Sequence, residues 1–301
     1  MSELVWGPIL AAYLFLGGLA GGSYIVGAAA DLMKKEKYAV FTKSAVLASV
    51  VSIILGLVML VFDLKRFMVA PLGIVNAYRR FPGSIMTVGT WIITAFTLVS
   101  VVTVLMLFLD GNVLIRKIVE VVGIVLGLST CAYTGILLSF TRGVPFWDSG
   151  FLPWLFVMSG MLTGLAVGVL FIPIIAEIIP KPFGNFRALW KDTGRFSEMI
   201  EYTDRYATSI LVIEFLLMVL YFITTPPTRI LLGGSLISLV FYAYLLFALA
   251  IPFGISVVNM TLAKQGKHQI MIYLSLFATV MALFGGFLLR YVVLIGGQMI
   301  F

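Results

Sequence analysis

The sequence predicts an all-α integral membrane protein with eight transmembrane helices. Three observations carry this. Only 11% of the 301 residues are charged, against about 25% in a soluble domain. Nearly uncharged runs, long enough to cross a hydrocarbon core of about 30 Å, recur along the whole chain. The runs lack the strict apolar/polar alternation of a membrane β-strand, so the backbone must satisfy its hydrogen bonds within helices.

The spans are expected at about 8–30, 44–62, 85–109, 118–140, 153–176, 206–223, 233–257 and 269–293, in a single polytopic domain covering 1–301. The first begins beside Trp6. No basic leader or small-residue cleavage site precedes it, so it reads as a retained helix. It carries Gly17, Gly18, Gly21, Gly22 and Gly27, and the fifth span carries Gly160, Gly164 and Gly168. Small residues four apart let helix backbones approach closely. Laying Gly18 and Gly22 over Gly160 and Gly164 also hints at two repeated halves. The sixth span contains a lone acid, Glu214, and the eighth runs outward to Arg290.

Charge sets the orientation. The connections after spans 1, 3, 5 and 7 carry Lys34, Lys35, Lys37, Lys43, Arg116, Lys117, Lys181, Arg187, Lys191, Arg195, Arg205, Lys264 and Lys267. The other face has Lys65, Arg66, Arg79, Arg80, Arg142, Arg229 and Arg290. Thirteen against seven places the first set in the cytoplasm and both termini outside, by the positive-inside rule. The outer face bears the basic connection 63–84, with Pro71, Pro82 and Gly83, and the connection 141–152, which opens Thr-Arg-Gly-Val-Pro-Phe-Trp-Asp. These shapes suit a docking surface or a ligand lid. Trp147 and Trp154 equally suit an interfacial aromatic belt.

Several functions are excluded by what is missing. The formal charge of +7 is explained by basic cytoplasmic loops, so no nucleic-acid partner is expected. One cysteine, Cys131, allows neither a disulfide framework nor an iron–sulfur cluster. The one histidine, His268, falls beside a cytoplasmic loop, so no heme is expected. No metal-ligand spacing occurs, and no glycine-rich phosphate loop with a following lysine.

What remains is a small set of polar groups at membrane depth, where charge is costly and marks function. Asp63 closes the second span on the outer side, and Arg290 lies near the outer end of the eighth. Tyr13 and Tyr133 sit in the same outer half. A phenol can donate to a quinone carbonyl, and a carboxylate can take the protons released on quinol oxidation. Packing tyrosines and an Asp63–Arg290 ion pair are the structural alternative. Glu214 reads as a proton-handling group. Glu177, Asp204 and Arg205 read as wet loop ends that could open a cytoplasmic proton path to it.

At these residues the chain resembles the NrfD family, the membrane subunits of polysulfide reductase-type complexes. The matching segments are Tyr13-Leu-Phe-Leu-Gly-Gly-Leu-Ala-Gly-Gly22, Phe62-Asp63-Leu-Lys-Arg-Phe67, Tyr133-Thr-Gly135, Pro145-Phe-Trp147, Ser159-Gly160, Gly285-Gly-Phe-Leu-Leu-Arg290 and Gly296-Gly-Gln298. The resemblance implies eight helices in two four-helix bundles. It implies a quinone, with menaquinone expected, as the only cofactor. It also implies a four-cluster iron–sulfur partner on the extracytoplasmic face of the cytoplasmic membrane, with a molybdopterin catalytic subunit beyond it. Tyr133 matches the family's quinone-contacting tyrosine, and Asp63 a carboxylate of the same pocket. Leu10 and Tyr13 stand where the polysulfide reductase branch has Asn and His, so the contact from the first span differs and polysulfide is not assured as terminal substrate.

The expected function is therefore a quinone- or quinol-binding membrane anchor that exchanges electrons with an extracytoplasmic iron–sulfur subunit. Tyr133, Asp63, Tyr13 and Arg290 are the binding candidates, and Asp63 and Glu214 the proton-transfer candidates. A secondary transporter is disfavoured, because no broken helices lie at matched positions. A purely structural anchor is the third class. A cysteine introduced at Asn76 is expected to react with a membrane-impermeant maleimide from the outer side. Reaction from the cytoplasmic side alone would invert the topology.

Overall fold

The computed structural model describes residues 6–33, 38–63, 78, 83–109, 111–141, 143–178 and 184–299, the side chains of 61–63 excepted. Most of the outer connection 63–84, the side chain of Asp63, and Lys34, Lys35, Lys37, Arg142 and Lys181 lie outside the described residues. The chain is all-helical. Its helices are α1 (Pro8–Met33), α2 (Ala39–Asp63), α3 (Ile85–Phe108), α4 (Val113–Ser139), α5 (Leu152–Ile178), α6 (Gly184–Lys191), α7 (Thr193–Thr224), α8 (Leu236–Lys264) and α9 (His268–Gln298). Among the described residues, all but α6 are long and apolar enough to span a membrane. Leu98, Leu105, Val125, Leu220 and Leu239 are largely exposed. An apolar surface of this extent is one that lipid or a partner protein covers.

Helices α1 and α5 sit at the centre. α1 packs on α2, α4, α5 and α9, and α5 packs on α1, α2, α4, α7 and α9. α3 lies against α2 and α4, while α8 lies against α7 and α9. The crossing of α1 on α5 is backbone on backbone. A Cβ on Gly22 would collide with the Gly160 carbonyl, and one on Gly164 with the backbone of Gly22 and Ser23. One on Gly160 would stand 2.8 Å from the Gly18 carbonyl oxygen. The glycines at four-residue spacing in the two spans thus face each other. Lipid gives apolar helices no drive to leave it, so this close van der Waals contact is what holds them together. Gly21 does the same against Gly127 of α4.

Two features were not anticipated. Gly184–Lys191 lies in an expected connection but forms the short amphipathic helix α6, with Phe186 buried. It is anchored by Trp190, whose indole donates to Glu177 Oε1 at 3.1 Å. This gives Glu177 a structural partner at its loop end. Inside α8, Leu245–Ala250 is a π-helical stretch. Pro252 has no N–H to donate to the Ala248 carbonyl, so the α-helical ladder is interrupted there. The wider turn presents the Ala248 backbone to Gly285 of α9, where a Cβ would not fit.

The outer segment 143–151 is a plug rather than a belt. Phe146 and Trp147 are fully or nearly fully buried. The Trp147 indole donates to the Val293 carbonyl at 2.7 Å and stacks on Trp6 at 5.3 Å. Tyr221 donates to the Phe146 carbonyl at 2.6 Å. Gln298 bonds both the N–H and the C=O of Trp6. Trp154, by contrast, is exposed as a belt residue would be.

Candidate functional site

The polar residues of the membrane interior fall into two groups. The first belongs to α1–α4. Tyr13 on α1 and Tyr133 on α4 are 6% and 8% exposed, and they lie close enough to interact electrostatically. The ring of Tyr133 rests on Gly89 of α3, where any Cβ would overlap it. The ring of Tyr13 lies beside Gly56 of α2, 3.8 Å from where a Cβ would stand. Neither phenol hydroxyl makes a hydrogen bond among the described residues. Neither oxygen is among the fully buried, unpartnered atoms, so each phenol presents an accessible hydroxyl with capacity for a partner. α2 continues from Gly56 to end at Asp63, the carboxylate candidate, at this same end of the four helices.

A separate aromatic contact on α3, around the half-exposed Trp91, was not anticipated. Tyr78 bonds Thr94 on α3 at 2.9 Å and meets Trp91 edge to face at 5.3 Å. The signal for it was Gly89-Thr-Trp91, a small and a polar residue beside an indole in an otherwise apolar span.

The second group lies where α5, α7, α8 and α9 meet α1. Arg290 is completely buried. Its Nη1 donates to Ser159 Oγ at 2.6 Å and to the Gly286 carbonyl at 2.9 Å, and Nη2 donates to the Phe156 carbonyl at 3.2 Å. Its guanidinium lies over the rings of Phe156 and Phe15, 5.2 and 5.9 Å from their centroids. A Cβ on Gly18 would stand 2.7 Å from Nη2, so the missing side chain on α1 makes the room. Glu214 on α7 is likewise fully buried and accepts from the Tyr244 hydroxyl at 3.1 Å. Its second oxygen has no hydrogen-bond partner. Arg290 and Ser159 share its electrostatic surroundings. Among the described residues Arg290 shares an electrostatic field with Glu214, and no hydrogen bond or ion pair joins it to Tyr13 or Tyr133. Ser159 and Tyr244 were not anticipated as members of this group.

Ten residues along α7 from Glu214, Asp204 Oδ2 accepts from Asn259 Nδ2 at 2.7 Å and from Ser275 Oγ at 3.3 Å. Beside it is a cavity of about 40 Å³, lined in part by Thr203, Asp204, Ser256, Ser275 and Thr279. Its wall is mostly apolar, and the few polar side chains gather beside Asp204, with room for about one water. Arg205 pairs instead with Glu201 on the surface. His268 starts α9, and its Nδ1 bonds Ser197 Oγ at 2.9 Å. Among the described residues no group of three His, Cys, Asp or Glu side chains could hold a metal.

Comparison with known proteins places this geometry in context. The family described as "Polysulphide reductase, NrfD" matches residues 1–301. The protein is 29% identical over 195 residues to the C subunit of the polysulfide reductase of Wolinella succinogenes, covering 56% of this protein and 60% of that one. It is 28% identical over 196 residues to protein NrfD of Escherichia coli, with the same coverage. The matched region thus spans about 60% of the length of these curated relatives.

The second group yields a stability prediction. Arg290→Gln removes the guanidinium that donates to Ser159, Gly286 and Phe156 and lies in the field of Glu214, an expected cost of about 1.5–3 kcal/mol per charged hydrogen bond lost. Adding Glu214→Gln in the same chain should recover part of that loss, with a coupling of about 0.5–3 kcal/mol. Unfolding of the wild type, the two single variants and the double variant in one detergent measures it, and strictly additive costs would show that the two charges do not share a field.

Proposed function

Because the chain belongs to the NrfD polysulphide reductase family of multi-pass membrane proteins, we propose that it is the quinone-reactive membrane subunit of a multisubunit oxidoreductase. The observation that carries the proposal is the pair of buried phenols, Tyr13 and Tyr133, whose hydroxyls have no hydrogen-bond partner among the described residues. The glycines at 56 and 89 leave flat walls beside both rings. Such a site fits a planar ring bearing carbonyl or hydroxyl oxygens, the chemistry of a quinone head, with menaquinone the form the resemblance implies.

When bound, a quinol supplies two electrons and two protons. The work of this chain is to hold the head and to move the protons. Tyr133 donates to one ring oxygen and orients it, with Tyr13 as the weaker contact. Asp63, at the end of α2, takes protons at its carboxylate toward the outer aqueous face. Electrons leave to an iron–sulfur subunit docked on that face, and the reverse direction uses the same groups. Arg290 serves the site indirectly, by fixing α9 against α1 and α5 and by balancing Glu214. Glu214 exchanges protons with the opposite face through Tyr244 on one side and the Asp204 cavity on the other. A docked molybdopterin subunit completes the proposed complex and carries the terminal chemistry.

A neutral hydrogen bond is worth about 0.5–1.5 kcal/mol net. Tyr133→Phe is therefore expected to weaken quinol affinity about threefold to tenfold, read as a rise in KM in native membranes. Asp63→Asn is expected to lower kcat more than it raises KM, because it removes a proton acceptor. Unchanged kinetics and inhibitor sensitivity in both variants would move the pocket elsewhere.

A further inference from the structure

A third polar cluster lies at the other end of α1–α4, remote from the two phenols. Asp31 near the end of α1 and Glu120 in the second turn of α4 are 3% and 0% exposed. One cation touches them both. Arg116 Nη2 donates to Asp31 Oδ2 at 2.8 Å, and its Nε stands 3.4 Å from Glu120 Oε1 without the geometry of a hydrogen bond. Both oxygens of Glu120 lack a hydrogen-bond donor. The two carboxyl groups nevertheless meet on one guanidinium, at 2.8 and 3.4 Å from its nitrogens.

Packed side chains cover the cluster toward the membrane interior, while Arg116 stays partly exposed. Tyr24 on α1 faces Glu120, and its hydroxyl bonds Thr103 Oγ1 of α3 at 2.7 Å. Gly123 of α4 leaves room for that phenol. Lys117, partly exposed, acts on Glu120 from farther away. Among the described residues, the titratable or charged groups facing Glu120 are thus Asp31, Tyr24, Arg116 and Lys117, with Thr103 the neutral contribution of α3.

Two ionised carboxylates cannot satisfy one another, because each only accepts hydrogen bonds. Buried together they repel, and pairs so placed retain a proton. The single touching guanidinium neutralises one of them. A proton on the other removes that repulsion, and one of its missing bonds is no longer needed.

We propose that Asp31 and Glu120 form a proton-binding site, holding one exchangeable proton in common, seated on Glu120 and exchanged with the aqueous face that Arg116 borders. The step is protonation alone: a hydronium ion gives its proton to the Glu120 carboxylate and leaves as water. Arg116 holds Asp31 in place through the bond from Nη2, and Tyr24 seals the site from the membrane interior. The site is separate from Glu214 and does not rest on quinone binding.

The test is infrared spectroscopy of the full chain in lipid nanodiscs, as a difference between neutral and alkaline pH. One protonated-carboxyl band is expected at neutral pH that survives Glu214→Gln and is lost in Glu120→Gln. The same band should be lost in Asp31→Asn, because one carboxylate then faces one guanidinium and ionises. Both neutral isosteres should fold, since each leaves the buried cluster uncharged overall. Persistence of the band in either variant overturns the proposal. A band that moves with sodium concentration at fixed pH also overturns it, making the site one for a metal ion. So does failure of both variants to fold, which would show that the cluster needs all three charges.

Discussion

The crossing of α1 on α5 is the constraint on which the rest of the structure depends. At Gly18, Gly22, Gly160 and Gly164 the two backbones touch with no side chain between them. In lipid, where burial of apolar surface gives no net drive, contact of this closeness replaces a hydrophobic core. It also creates an interior space that a guanidinium can fill, beside Gly18 and against Ser159 and the Phe156 carbonyl. The thiol of Cys131 completes the crossing by reaching the Gly18 carbonyl at 3.3 Å.

Helix α1 thereby becomes a spine that carries three chemically distinct levels. Tyr13 lies at one end, the glycines against Arg290 in the middle, and Tyr24 and Asp31 at the other end. At about 1.5 Å per residue, Tyr13 and Tyr24 are about 16 Å apart along the axis. The proposed quinone site and the proposed proton site therefore share four helices without sharing a side chain. The second half of the molecule repeats the theme differently. Glu214 pairs with a phenol, Tyr244, beside the π-helical stretch, and its balancing cation comes from α9.

The sequence made the eight helices legible because each is an uninterrupted apolar run, and length alone decides what such a run can be. Glu214 was legible for the same reason, as a lone acid in an apolar span. Its partners were not. Ser159, Tyr244 and Arg290 come from three other helices, and no spacing links them. The α6 helix was hidden in a charged connection because eight residues give too little periodicity to separate a helix from a loop. Asp31 and Glu120 escaped notice because they fall at or just past the edges of the expected spans 8–30 and 118–140. There a carboxylate reads as a wet end, yet both are buried by neighbours distant in sequence. For Trp147 the sequence left a docking surface or lid and a belt equally open, since the partner that buries it, Trp6, is far away in the chain.

The central claim is that quinone is held by the outer ends of α1–α4. The apolar groove between α7 and α8, lined by Leu211, Phe215, Leu245 and Phe253, is the competing location. Photolabelling the full chain in native membranes with an azidoquinone, followed by peptide mapping, separates the two directly. Adducts on the segments containing Tyr13, Gly89 or Tyr133, suppressed by excess unlabelled quinol, are the result this account predicts. Quinol-suppressed adducts confined to the Leu211–Phe215 and Leu245–Phe253 segments would contradict it.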